Sequence, residues 1–314
     1  MYEDLSRVIG NGFGTWRDNL ILCIPFLVGA AFAIIVGIVS LILIFSLNPE
    51  SFQELGDASL EMGKLTFGEI VSVAERNPVP FVILLITVLA EAFVDSFFRA
   101  GAVGMARQAT VEMTTTSRTM WAAGRRFAAD IFFVRFILGF IMLAGLVLIV
   151  PGLIHFLESL GVYSTEDLAV LNLDTISEAL TAFDPQVVSS LFLGLSLFII
   201  YLLTISLLFA VVFYAVVLDD LGPIAAIRSA INFFRSNLFD VFIIWLTVMA
   251  LSLSVGMVGQ LFANNPSAAS AWSFFSVASS LVVIEPLSTV WWTRLYMSRT
   301  GKKLQEDDQV KYLW

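Results

Sequence analysis

Six apolar runs, each at least as long as a bilayer needs, constrain this 314-residue chain more than any other feature. They occupy 20–46, 79–98, 131–156, 187–218, 238–262 and 273–296. A hydrocarbon core of ~30 Å takes about 20 residues of helix, because backbone N–H and C=O groups inside it find no water and must bond within the segment. Hydrophobic residues make up 58% of the chain and charged residues 14%, too few charges to cover a soluble domain. The expected fold is all-α: a polytopic membrane protein whose six spans form three helical hairpins within a single membrane domain, 1–314. The fourth run is longer than a crossing requires, so it must tilt or continue past the bilayer. Pro25, Pro151-Gly152 and Pro286 mark kinks or helix ends. The acidic Glu3 and Asp4, and the length of the first run, argue against a secretory signal peptide. The single cysteine, Cys23, sits inside that run as a small buried apolar residue.

Basic residues in the loops set the orientation. Thirteen Lys and Arg fall on the face that carries both termini, and only Lys64 and Arg76 fall on the other. A multi-pass protein of the cell membrane with both termini cytoplasmic is expected. Twelve carboxylates lie on the outer face, in two loops, 47–78 and 157–186. Thr66 to Glu69 has capping-box spacing, and Ser164 to Asp167 and Asp174 to Glu178 are further helix starts. These loops should form small helical caps, either lids over a site or covers for helix ends.

Three segments before odd-numbered spans resemble one another. Leu5 to Leu20, Thr119 to Asp130 and Ile224 to Leu238 each combine an apolar stripe with arginines and end in a polar stop. The first and third superimpose without gaps, Ile9 on Ile227, Phe13 on Ile231, Arg17 on Arg235 and Asn19 on Asn237; the second fits more loosely. They imply internal repeats of about 1–110, 115–220 and 223–300, each led by an amphipathic helix on the cytoplasmic boundary. Arg17, Arg125, Arg126, Arg228 and Arg235 are then candidate contacts to lipid headgroups or the interface. Gly10-Asn-Gly-Phe-Gly14 lacks the Lys-Ser/Thr and the preceding strand of a phosphate loop, and reads as a flexible break.

The stretch Val216-Val-Leu-Asp-Asp-Leu-Gly-Pro-Ile-Ala-Ala-Ile-Arg-Ser-Ala-Ile-Asn-Phe-Phe-Arg-Ser-Asn-Leu238, with Val150-Pro-Gly-Leu-Ile154, resembles the membrane domain of some glycerophosphoryl diester phosphodiesterases and related uncharacterised multi-pass proteins. The resemblance implies a membrane-embedded helical module. Its catalytic phosphodiesterase domain has no counterpart here, so that activity does not carry over.

Charged residues within the spans must pair or meet water, since each costs roughly 2.5–3.5 kcal/mol at mid-membrane. Glu91, Asp95 and Arg99 share one helix face; Arg135, Asp240, Glu285 and Arg294 lie in other spans. They form either an interhelical salt-bridge network, Glu91 and Asp95 with Arg135, Arg99 or Arg294, or a polar cavity for a solute, ion or lipid headgroup, in which Glu91 and Glu285 are the candidate cation or proton sites. Ser273, Ser276 and Ser280 share a face, and Gly256 and Gly259 thin the fifth span for close packing. His155, the only histidine, excludes multi-histidine metal sites, and no nucleophile, P-loop or metal motif is present. Asp95 and Asp240 lack the motif residues of an intramembrane aspartyl protease. No enzyme, cofactor or metal is expected. The expected partners are membrane lipids and a protein partner or second copy, without nucleic acid. A non-catalytic module supporting transport or envelope organisation is the preferred function, a small transporter or channel around Glu91 and Glu285 the alternative, and a lipid-modifying enzyme a remote third.

Overall fold

The computed structural model describes residues 3–47, 78–159, 185–262, 264–302 and 304. Apart from their edges, the two outer loops expected to form helical caps lie outside these residues, as do Lys303 and Lys311.

Helix α1 (Leu5–Asp18) leads through a 3-10 turn (Leu20–Cys23) into α2 (Ile24–Leu47). Helix α3 (Val79–Glu112) precedes α4 (Ser117–Ala144), which passes through a second 3-10 turn (Gly145–Leu148) to α5 (Val150–Ser159). Helix α6 (Pro185–Leu208) is followed by α7 (Val212–Asp219) and α8 (Pro223–Ser236). The chain closes with α9 (Leu238–Gln260), α10 (Pro266–Ser279), a π turn (Ser280–Ile284) and α11 (Glu285–Arg299). No strand occurs among the described residues. Six of these stretches are long and apolar enough to cross a membrane, and large apolar side chains such as Ile34, Phe140, Phe192 and Met257 stand exposed along them. This is an all-α, multi-pass membrane protein.

Two local expectations are corrected. Gly10 to Gly14 does not interrupt α1, which is continuous; Gly12 is packed against the Trp291 indole, where only a residue without Cβ fits. No stop occurs at Asp130, because Ala128-Ala129-Asp130-Ile131 contains no helix breaker and α4 runs straight through. The long fourth run lies within one span, Pro185–Asp219, whose helix is locally interrupted at residues 209–211 and restarts at Val212.

The described residues form two compact units. The first contains the described parts of 1–33, 92–137 and 206–314. Within it, α1 buries Val8, Gly12 and Thr15, α4 buries Met120, Gly124 and Phe127, and α8 buries Ala226, Ala230 and Phe233. Each triplet is spaced i, i+4, i+7, so it forms one narrow helix face with a small residue at its centre. Gly12 admits Trp291, and Gly124 admits the ring of Phe97. Asn19 and Asn237 interrupt the helices after α1 and α8 in the same way, each Nδ2 donating to the carbonyl four residues back, of Thr15 and Phe233, at 3.0 Å. Asn19 Nδ2 also reaches the Met113 carbonyl at 3.1 Å. Left-handed residues follow the even-numbered spans: Met113 after α3 (φ 60°), Asp220 after α7 (φ 56°) and Gly301 after α11 (φ 71°). That conformation ends a helix by bending the chain away.

Pro286 explains the π turn. Its ring nitrogen cannot donate to the Val282 carbonyl. Trp16 Nε1 (3.2 Å) and Cys23 Sγ (3.0 Å) donate to that oxygen instead, so the kink is capped by α1 and the 3-10 turn that follows it.

The second unit, the described parts of 34–91 and 138–205, is held by close backbone approach. A Cβ on Gly152 would lie 2.8 Å from the Ser190 carbonyl, and one on Gly194 would lie 3.0 Å from that of Leu148. Tyr201 donates to the Ile141 carbonyl at 2.6 Å, and the Ser40 and Thr87 hydroxyls meet at 2.5 Å.

Candidate functional site

The charges expected to form one cluster separate into distinct groups. Four belong together in the first unit. Asp95 accepts from Arg135 and lies 3.6 Å from Arg99 Nε, and Glu285 approaches Arg99 Nη1 at 3.9 Å. Two carboxylates face two guanidiniums, so the quartet is formally neutral. The ring of Phe213 lies 6.0 Å from Arg99 and 5.9 Å from Arg135, within cation–π range of both. The kink at Pro286 places Glu285 at the head of α11, where it meets Arg99. Pairing lowers the cost of these charges in a membrane, yet their side chains remain 29–47% exposed. Such a site can hold a proton or cation on a carboxylate only by loosening an arginine, and the 3.9 Å contact of Glu285 is the loosest.

Glu91 is not part of that pairing. It belongs to the second unit, where its carboxylate lies toward Gly37, and it has no ion pair among the described residues. Arg294, expected in the network, pairs elsewhere, and Asp240 also has its own partner. Arg294 Nη2 pairs with Glu3 at 2.6 Å and Nη1 donates to Thr15 Oγ1 at 3.2 Å. Asp240 accepts from Arg299 Nε at 2.7 Å. Asp95 and Asp240, the two aspartates weighed as a pair, are thus held by different arginines.

The Glu3 network pins the start of the chain to its last span. Glu3 N donates to Ser298 Oγ at 2.7 Å, its carbonyl accepts from Arg299 Nη1 at 2.7 Å, and Asn11 Nδ2 donates to its carboxylate at 2.8 Å. Asp4 caps the opening turn only loosely; its carboxylate takes the Ser6 hydroxyl, which holds it below the ordinary range. The acidic pair of the 216–238 stretch has a comparable part. Asp219 accepts from Tyr296 at 2.5 Å and pairs with Lys302, while Asp220 pairs with Arg126. Glu3, Thr15, Asp219, Tyr296, Arg299 and Lys302 carry these networks and were not singled out from sequence. The one signal available was a cluster of acids beside span ends that hold several basic residues.

The candidate interface arginines lie opposite the buried faces. Arg17, Arg125, Arg228 and Arg235 are exposed; Arg17 pairs with the neighbouring Asp18 at 3.1 Å, and Arg125 Nε donates to the Trp121 carbonyl at 3.4 Å. Arg126 is exposed but paired with Asp220. Around α1 and α8 the buried triplet, the apolar residues and the arginines occupy three successive sectors. Phe13 and Ile224 remain exposed between the buried and charged sides. His155 lies beside Glu158 at 3.4 Å. Gly259 gives room to Trp272, whereas nothing approaches Gly256.

An uncharacterised protein of Archaeoglobus fulgidus is 28% identical to this chain over 317 residues, covering 96% of the chain and 97% of that protein. No family model matches the chain. No solved structure matches it.

Proposed function

We propose that this chain is a non-catalytic module of the cell membrane, with cytoplasmic termini, that binds anionic lipid headgroups and supports transport or envelope organisation. One observation carries the reading: the exposed arginines of α1, α4 and α8 lie opposite faces already committed to protein packing. A helix pinned on one side, apolar on the next and basic on the third suits the headgroup boundary. The three hairpins are copies of one unit in this reading, supported by the common i, i+4, i+7 burial in the helix leading each. Kinship with the phosphodiesterase membrane domain rests on 216–238, whose Asp219 and Asp220 tie span ends together. The test is lipid analysis of protein purified in mild detergent and of protein in mixed bilayers. Enrichment of anionic over zwitterionic lipid, reduced in Arg17→Gln/Arg125→Gln/Arg228→Gln/Arg235→Gln, is expected; equal uptake of both lipids by the unaltered protein sinks the reading.

The transporter alternative keeps one supporting observation, the incomplete burial and loose contact of Glu285. Solute or proton flux into liposomes that Glu285→Gln or Glu91→Gln abolishes, with unaltered thermal stability, would favour it.

A further inference from the structure

Near the ends of α3 and α4 that adjoin one another, a cleft of about 420 Å³ opens in the first unit, within the size range of small-ligand sites. Arg107, Arg126, Gln108, Glu112 and Thr119 supply its polar lining. Apolar side chains, Val111, Phe127 and Val217 among them, supply the remainder.

Hydrogen bonds order part of this polar lining. Gln108 Oε1 accepts from Thr119 Oγ1 at 2.5 Å and from Thr115 Oγ1 at 3.2 Å. Those bonds orient its amide, whose Nε2 donates to Glu112 at 2.8 Å. The Arg126 guanidinium lies over Phe127, 5.1 Å from the ring centroid, with one edge on Asp220. A guanidinium has five donors, so the remaining edge stays available. Arg107 is exposed and has no carboxylate partner among the described residues. Two guanidiniums, one carboxylate and a set of apolar side chains therefore line one cleft. Arginine pairs suit the oxygens of a phosphate, Glu112 suits a hydroxyl or ammonium a few bonds away, and the wall suits the first carbons of an acyl chain.

We infer that this cleft binds a phosphate ester bearing a hydroxyl or ammonium substituent, with the phosphate on Arg107 and Arg126 and the substituent on Glu112. The inference rests on the headgroup reading and assigns it one saturable site. Neither Arg107 nor the cleft belonged to the interface set read from sequence.

Native mass spectrometry of the full chain in detergent, titrated with dioctanoyl phosphatidylglycerol, tests it. One saturable lipid is expected, with no binding of dioctanoylglycerol, which lacks phosphate. Arg107→Gln/Arg126→Gln should weaken binding at least about ten-fold, as loss of charge-assisted bonds does. Val111→Trp, which fills the cleft but keeps every charge, should do the same, while Arg118→Gln, outside the cleft, should bind as the unaltered protein does. Displacement by glycerol 3-phosphate assigns the site to a soluble phosphate ester, and resistance to it assigns the site to lipid; either upholds phosphate recognition. Unaltered binding by both cleft variants, each verified as folded by its thermal transition, overturns the inference. Equal binding of dioctanoylglycerol does so too. If anionic enrichment in mixed bilayers persists in those variants, only the cleft fails. If the unaltered protein shows no enrichment, the headgroup reading fails with it.

Discussion

Replacing Arg294 by methionine should destabilise the protein far more than replacing Arg294 and Glu3 together by apolar residues. The Arg294 side chain is 4% exposed and that of Glu3 13%, and their charged atoms lie 2.6 Å apart. Once Arg294 is removed, the Glu3 carboxylate keeps only Asn11 as a side-chain donor among the described residues. A buried charge left without its counter-ion typically costs 3–5 kcal/mol, whereas exchanging a buried pair for apolar groups is often neutral. Two atoms of this pair, Glu3 Oε2 and Arg294 Nε, are already buried without a hydrogen-bond partner among the described residues. The native pair is therefore incompletely compensated, and the double replacement should recover most of the loss. We expect about 3 kcal/mol for Arg294→Met and a similar loss for Glu3→Leu. The double variant should fall short of their sum by at least about 2 kcal/mol. Because Glu3 lies just before α1 and ties it to Ser298 and Arg294, part of the single-variant loss should appear as fraying of α1. Unfolding in mixed micelles gives the cycle, and hydrogen exchange of α1 amides gives the local opening. A coupling below about 0.5 kcal/mol, with unaltered protection of α1, would refute the argument.

Gly12→Ala should cost about 1–3 kcal/mol, since its Cβ collides with the Trp291 ring, whereas Gly10→Ala, which meets nothing, should be neutral or stabilise by up to ~1 kcal/mol; thermal unfolding of the two variants separates these outcomes. Trp16→Phe should cost about 0.5–1.5 kcal/mol for its bond to the Val282 carbonyl and distinctly less in a Pro286→Ala background, where a backbone N–H can take that oxygen; equal costs in both backgrounds would contradict the account of the kink. Gly152→Ala should destabilise by about 1–3 kcal/mol through contact with backbone at Ser190 and Leu191, while Gly139→Ala, in open space, should stay near neutral in the same unfolding assay. Cysteine introduced at exposed Arg118 should react with an impermeant maleimide in inverted vesicles and not in intact cells; labelling of intact cells would reverse the proposed orientation.

The spans were legible because bilayer thickness imposes a length, and a length can be counted along one chain. Starts at Leu20, Val79 and Leu238 coincide with observed elements, and Pro286 marks a real distortion. Continuity was less legible. Gly10 to Gly14 and Asp130 read as interruptions because propensity is local, and packing against Trp291 overrode it at Gly12. Among the candidate charges, Asp95, Arg99, Arg135 and Glu285 come together as a network, but Arg294 and Asp240 took partners that no helix-face argument could supply.

By itself the sequence determined that the chain lies in a membrane as six apolar helices, that its spans carry charges needing partners, and which helix faces carry arginines. These follow from period, length and solvation, all properties of segments. Tertiary structure alone decided that Glu3 meets Arg294 across 291 positions, that Trp16 and Cys23 cap the carbonyl freed by Pro286, and that Arg107 and Arg126 flank one cleft. Partner choice depends on which faces pack together, and in this protein small residues such as Gly12 and Gly124 set those approaches by the side chain they lack.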